Sequence, residues 1–208
     1  MDKQVFLLAT VGVAALWLPA CTQAPSTKGD VDSVPKEAAK PAEAVTAQRA
    51  YYEMYKPARS WAPDLLALSM ASGEMPGMKN EAGKAWRWTA TFVSPGRKEA
   101  RKFTYAVVDS PEEDIHKGVS ISDALPGGGA TPKSKPFSNS EFVADSDAVH
   151  KVAAQNADAW LKKHPNQTAT FQLGNASRFS APVWYVMWGT KKNGYAALVN
   201  ATTGTIIK

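Results

Sequence analysis

The sequence predicts an α+β fold of two similar halves, each with a helix packed on a three- to four-stranded antiparallel sheet. Alternating apolar and polar residues, which indicate half-buried strands, occur in two groups along the 208-residue chain. A segment with helical spacing precedes each group, and a Gly- and Pro-rich stretch at 126–144 separates the groups. We therefore expect the halves at 46–125 and 145–208, because one helix can cover one apolar face of a sheet.

The beginning of the chain predicts export. An apolar run of 14 residues, from Val5 to Leu18, follows Lys3 and leads into a small residue, Ala20. A membrane-spanning helix needs about 20 apolar residues. The shorter run is typical of a secretory signal peptide, which we place at 1–20.

Leu18-Pro19-Ala20-Cys21 resembles the lipobox of bacterial lipoprotein signals. The resemblance implies cleavage before Cys21 and attachment of lipid, palmitate included, to its nucleophilic thiol. Thr22 resembles the residue found in lipoproteins sorted to the outer membrane, facing the periplasm, if the source has two membranes. The alternative is a chance cysteine after an ordinary cleavage site.

Cys21 is the only cysteine of the chain, which excludes an intramolecular disulfide. Residues 22–45 repeat Pro, Ala, Lys and Glu and contain no aromatic residue. Such a segment cannot bury enough apolar area to offset its ordering entropy. We expect 21–45 to be the lipidated cysteine and a disordered tether.

The first half begins with a helix that Thr46 caps and Pro57 ends. We expect its strands at 64–70, 86–92, 102–108 and 118–122. The second is the clearest, because its apolar residues alternate with polar ones: Trp86, Trp88, Ala90 and Phe92 point one way.

The second half repeats this order. We expect a helix that begins at a cap, Asp145 or Ser146, and ends near His164. Strands are expected at 168–173, 182–189, 194–200 and 205–208. The similarity between Trp86-Arg87-Trp88 and the segment 184–188 suggests an old duplication.

The segment 182–207 resembles the C-terminal half of a PepSY domain. A strand with the pattern Trp-x-Val precedes a strand that ends in 200–204, Asn-Ala-Thr-Thr-Gly, where the family has Asp-Ala-x-Thr-Gly. The resemblance covers 145–208 well and 46–122 weakly. It implies a PepSY-like, more loosely cystatin-like, domain of a kind associated with inhibition or chaperoning of extracytoplasmic peptidases. No inhibitory residue carries over.

The sequence predicts no catalytic residue, no metal ligand and no cofactor. It contains neither the Gly-x-Ser-x-Gly motif of serine hydrolases nor the His-Glu-x-x-His motif of zinc enzymes. Pro132 interrupts a run that resembles a phosphate-binding loop. We interpret the carboxylates and imidazole of 112–116 as a solvated turn. The net charge of +5 favours anionic surfaces and is too dispersed to predict a nucleic-acid partner.

The aromatic residues give the candidate binding surface. We expect most tryptophans in the core, with Tyr185 and Met187 on the opposite face of their strand. Arg87 and Lys102 take the equivalent place in the first half. These four side chains are the candidate ligand-binding residues.

The sequence therefore predicts a non-enzymatic envelope lipoprotein that binds a protein, a peptide or a cell-wall ligand and touches the membrane through Cys21. Two alternatives stay open. One is a cell-wall hydrolase with carboxylates such as Glu141 and Asp145 as acid and base. The other is a structural lipoprotein that bridges membrane and wall.

Overall fold

A computed structural model describes residues 41–126, 134–190 and 192–208. The predictions of a signal peptide, of lipid on Cys21 and of most of the tether fall on residues outside these ranges. So does the prediction about Pro132.

Helices and strands occur in two groups along the described chain. The first group is α1 Ala47–Trp61, β1 Leu66–Gly73, β2 Arg87–Ser94, β3 Glu99–Ala106, β4 Gly118–Ile121 and β5 Leu125–Pro126. The second is α2 Ser146–Asn156, α3 Asp158–Lys163, β6 Ala169–Gly174, β7 Val183–Trp188 and β8 Tyr195–Asn200. Two 3-10 turns, Pro111–Glu113 and Asn139–Glu141, lie in the connections.

The strands form one antiparallel sheet in the order β4-β3-β2-β1-β6-β7-β8, with β5 paired to β3. Each group is a meander that begins at the middle of the sheet, where β1 pairs with β6. The predicted α+β class is confirmed. The strands of the two expected halves join into a single sheet, and their origin by duplication stays a prediction.

The core lies between one face of this sheet and the helices. α1 packs on β2 and β3, and α2 packs on β8 and β7. Trp88, Trp184 and Trp188 are fully buried between these layers. Their interpretation as core residues is confirmed.

The prediction that Pro57 ends the first helix is wrong, because α1 continues to Trp61. Proline lacks the N–H that would bond to the carbonyl of the preceding turn. The apolar face nevertheless continues beyond it, and Met54 and Ala58 are both fully buried against the sheet. Packing of this face stabilises the last turn more than the lost hydrogen bond destabilises it.

The second predicted helix is interrupted at Ala157, between α2 and α3. The hydroxyl of Tyr195 lies 3.1 Å from the Asn156 carbonyl oxygen and 2.7 Å from the Asn156 side-chain oxygen. A donor from β8 at this carbonyl competes with the helical hydrogen bond and favours the break.

Residues 134–144, expected as part of a linker, contribute to the core. Phe137 and Phe142 are both buried. Phe137 exchanges two backbone hydrogen bonds with Ala67, of 2.8 and 2.9 Å, beside the start of β1.

The expected last strand at 205–208 is reduced to one bridge, between Ile206 and Val199.

Candidate functional site

We name the face of the sheet opposite the helices the open face. It carries mainly half-buried and exposed side chains, with a small buried apolar cluster of Leu68, Val93 and Ala100. Backbone pairing aligns one row of its residues across seven strands. The row comprises Leu198, Tyr185, Gln172, Ala71, Thr89, Thr104 and Ser120. Neighbouring strands lie about 4.8 Å apart, so Tyr185 on β7 and Thr104 on β3 are separated by roughly 19 Å.

A depression of about 320 Å³ lies on the open face beside Tyr185, and we name it the Tyr185 depression. It is lined by Leu68, Ser69, Ser134, Gln172, Gly174, Asn175, Ala176 and Tyr185. Small residues of the central strands, Ser69 and Gly174, pair with each other there. The larger side chains of Gln172 on β6 and Tyr185 on β7 line it as well.

Asn175, which lines the Tyr185 depression, has an unpaired side-chain oxygen that is itself buried. Asn175 is almost fully buried, and its Oδ1 has no hydrogen-bond partner in the described chain. Buried polar atoms are nearly always paired. Oδ1 is itself shielded from solvent, so the Tyr185 depression does not present this atom to a ligand.

A second depression, of about 270 Å³, lies on the open face of the first strand group. Arg87 is one of its lining residues and donates to Glu113 at 2.8 Å. The Arg87 side chain passes over Gly73, where a Cβ would collide with Nε. The ion pair ties the 3-10 turn Pro111–Glu113 to the sheet.

Met187 and Lys102 lie elsewhere on the open face. Met187 is 36% exposed and lines a third depression of about 380 Å³ near the β7–β8 turn. Lys102 is exposed on β3 and pairs with Thr91. The structure thus brings the four candidate residues to one face, and it does not gather them around one cavity.

Glu141 and Asp145 are the carboxylates of the hydrolase alternative. Glu141 caps the 3-10 turn Asn139–Glu141, and Asp145 caps the start of α2. Glu141 Oε2 accepts from Ser138 N at 2.8 Å and from Ser138 Oγ at 3.0 Å. Asp145 Oδ1 accepts from Gln48 N at 2.9 Å and from Ser146 N at 2.7 Å. Ser146 Oγ in turn accepts from Ala47 N at 2.8 Å. These bonds occupy the carboxylates with helix capping.

Two tryptophans have a role that sequence reasoning missed. Trp88 Nε1 donates to the carbonyl oxygen of Val45 at 2.9 Å, just before α1. Trp184 Nε1 donates to the carbonyl oxygen of Ala144 at 3.0 Å, just before α2. The two rings meet edge to face, 6.4 Å apart. The similarity between Trp86-Arg87-Trp88 and the segment 184–188 is the sequence signal that could have indicated these equivalent bonds.

The described ranges contain neither a membrane-spanning helix nor a cluster of metal-binding side chains. No helix there has the length and apolar character needed to cross a membrane. No group of three or more His, Cys, Asp or Glu side chains with the geometry of a metal site occurs in the same residues, the turn at 112–116 included.

Comparison with known proteins gives one structural likeness. No protein-family model matches the sequence. No curated protein matches it either. Among solved structures, a protein of Clostridium difficile 630 described as a candidate lipoprotein is similar at a TM-score of 0.47 and 12% sequence identity. The likeness covers 76% of this chain and 90% of that protein.

Proposed function

We propose that this chain is an exported envelope lipoprotein, anchored by lipid on Cys21, whose open face binds an envelope ligand without catalysis. The observation that carries the binding part is the one-sided cover of the sheet. Helices bury one face, and the other face presents Tyr185 and Gln172 beside a depression of about 320 Å³. Concave surfaces with a few polar groups are the usual places for ligands.

The anchor is supported by the start of the sequence. Cys21 follows an apolar run that is too short to span a bilayer, and it is the only cysteine. Residues 22–45 then supply a spacer between lipid and domain. Thr22 favours the outer membrane, facing the periplasm, in a source with two membranes.

A non-catalytic role is supported by what the acidic side chains do. Glu141 and Asp145 accept capping hydrogen bonds, and Glu113 pairs with Arg87. Acid–base catalysis needs carboxylates that face a substrate, and these three are engaged within the protein.

The PepSY-like interpretation concerns the turn after β8. Asn200 Oδ1 accepts from Thr202 N at 2.8 Å and from Thr203 N at 3.0 Å. An aspartate, as found in the family, accepts the same two bonds, so asparagine preserves the turn. The equivalent indole bonds of Trp88 and Trp184 support a duplicated helix-plus-strand unit.

The anchor is tested with Cys21→Ser in the native host. We expect the variant to leave the membrane fraction, because no acyl chain attaches to serine by a thioether. Thr22→Ser is the matched control and stays with membranes. Full membrane retention of Cys21→Ser contradicts the anchor.

The binding face is tested by photo-cross-linking in intact cells. A photoreactive side chain at Gln172, exposed on the open face, should capture an envelope component. The same group at Tyr52, which is 58% exposed on the helix side of the protein, is the control and should capture far less. Equal yields at both positions, or none at Gln172, contradict the proposal.

A further inference from the structure

We propose that the ligand of the open face is the uncharged glycan of the cell wall, held at the Tyr185 depression. This inference rests on the proposed function and specifies the ligand class. It is drawn from the charge, the hydrogen-bonding groups and the geometry of the depression.

The absence of charge on the described lining of the Tyr185 depression favours a neutral ligand. None of the described residues that line the Tyr185 depression carries a charge at neutral pH. The cations around it stand outside this lining: Lys135 directly follows Ser134, and Lys102 is two strands from Ser69, across Thr91. Arg87, in the second depression, pairs with Glu113 at 2.8 Å. Binding of nucleic acids or anionic lipids depends on unpaired Lys and Arg side chains. The lining therefore suits a neutral ligand.

The Tyr185 depression combines an aromatic ring with polar side chains, which suits a sugar. A sugar ring has apolar C–H faces and a rim of hydroxyl groups, so it is recognised by an aromatic ring together with amide and hydroxyl side chains. Tyr185 offers the ring, and Gln172 and Ser69 offer polar groups. In the described chain no residue hydrogen-bonds to the Gln172 amide or to the Tyr185 hydroxyl.

The open face and the sheet edges suit a glycan better than an extended peptide. Peptides commonly bind sheets by adding a strand to an unpaired edge. The β8 edge is partly closed, because Ile207 N donates to Leu198 O and Asn200 N donates to Thr205 O, both at 2.8 Å. The other edge strand, β4, is only four residues long and offers few backbone groups to a peptide. On the open face the backbone groups are used within the ladders. Only side chains are offered there, and side-chain recognition is what a sugar requires.

The length of the face fits a polymer. The row from Tyr185 to Thr104 spans four strand spacings, roughly 19 Å. It continues from the Tyr185 depression past Ala71 and the hydrogen-bonded Thr89–Thr104 pair, whose hydroxyls are 3.1 Å apart. A chain of several sugar units can follow this row, whereas one monosaccharide would occupy the depression alone.

The test uses the mature full chain purified in detergent. Two probes are applied: protein-free peptidoglycan sacculi in a co-sedimentation assay, and a soluble β-1,4-linked tetramer of N-acetylglucosamine in calorimetry. We expect both to bind. The tetramer should bind almost equally at 50 and 500 mM NaCl, because screening hardly affects a neutral ligand.

Two variants locate the site. Tyr185→Val keeps a strand-forming residue and removes the ring, and we expect about a tenfold loss of affinity, about 1.4 kcal/mol. Gln172→Ala should lower affinity about threefold to tenfold, and it keeps the inference testable if Tyr185→Val misfolds. Tyr52→Ala, on the helix side, should bind as the unmodified protein does.

The outcomes separate this inference from the proposed function. Failure of both glycan probes to bind overturns the glycan, and so does binding that Tyr185→Val and Gln172→Ala leave unchanged or that 500 mM NaCl abolishes. If cross-linking from Gln172 then still captures a protein in cells, the binding function of the open face survives with a different ligand. If cross-linking fails too, both fail.

Discussion

The two helix-plus-strand regions of the fold, 46–125 and 145–208, hold the starts of their helices in partly different ways. In both regions an indole N–H donates to the carbonyl that precedes the helix, from Trp88 to Val45 and from Trp184 to Ala144. The caps differ. Asp145 caps α2 from within its own region, whereas the N-cap residue of α1, Thr46, makes no side-chain cap hydrogen bond.

The missing cap of α1 is supplied by the second region. The first N–H groups of α1, on Ala47 and Gln48, donate to Ser146 Oγ and Asp145 Oδ1. Both helix N-termini therefore point at one carboxylate, which suits their partial positive charges. The regions are therefore alike in the tryptophan bond that holds each helix start, and they differ in where the helix cap comes from. The first region depends on the second.

The likeness is tested by Trp88→Phe and Trp184→Phe. Each removes a fully buried indole donor and leaves a carbonyl unpaired beside a small cavity. We expect a loss of about 3 kcal/mol in the free energy of unfolding for each, with the two values within about 1 kcal/mol. Urea denaturation measures both. Trp86→Phe, at a half-buried site, is the control, with a loss below about 1 kcal/mol. A large loss in only one core variant breaks the equivalence.

The inequality is tested by Asp145→Ala against Thr46→Ala. Asp145→Ala removes an acceptor from two helix N-termini, and we expect a loss of about 2 kcal/mol. Thr46→Ala removes no cap hydrogen bond, and its loss should stay below about 0.5 kcal/mol. Hydrogen exchange gives a local measurement, because protection of the Gln48 amide should fall in Asp145→Ala. Unchanged protection there would mean that α1 does not depend on Asp145.

Local patterns predicted the strands and their faces, because neighbouring residues of a strand alternate whatever pairs with it. Trp88, Ala90 and Phe92 are fully buried, as the alternation from 86 to 92 indicates. The same rule places Tyr185 and Met187 away from the core. Class, core tryptophans and open-face side chains were therefore predictable.

Features that join distant segments were not predictable. Gln48 and Asp145 are 97 residues apart, and no periodicity indicates that one caps the other. The Tyr185 depression depends on the pairing of β1 with β6, which brings Ser69 opposite Gly174. Sequence reasoning thus named Tyr185 and missed Gln172 and Asn175. It also ended α1 at Pro57, since tertiary packing of Ala58 is not visible in local propensity.

The smallest expected effects concern pH, and they again differ between the regions. In the first, hydrogen bonds from Ser94 and Gly96 lower the pKa of Asp64. In the second, burial lowers the pKa of His150, whose ring lies 6.1 Å from that of Phe171. A lowered pKa means that the unfolded chain binds the proton first as pH falls, so stability decreases in both cases. The decrease begins near pH 6.5 for His150 and near pH 3.9 for Asp64, their approximate values in the unfolded chain.

Urea midpoints measured from pH 8 to pH 2.5 resolve these two windows. His150→Phe keeps an aromatic ring and should flatten the curve just below pH 6.5 while leaving the drop below about pH 4 in place. Asp64→Asn should do the reverse, because its amide does not titrate and the His150 window is untouched. Each variant is thus the control for the other. A slope below pH 6.5 that persists in His150→Phe would assign that window to another group and remove this difference between the regions.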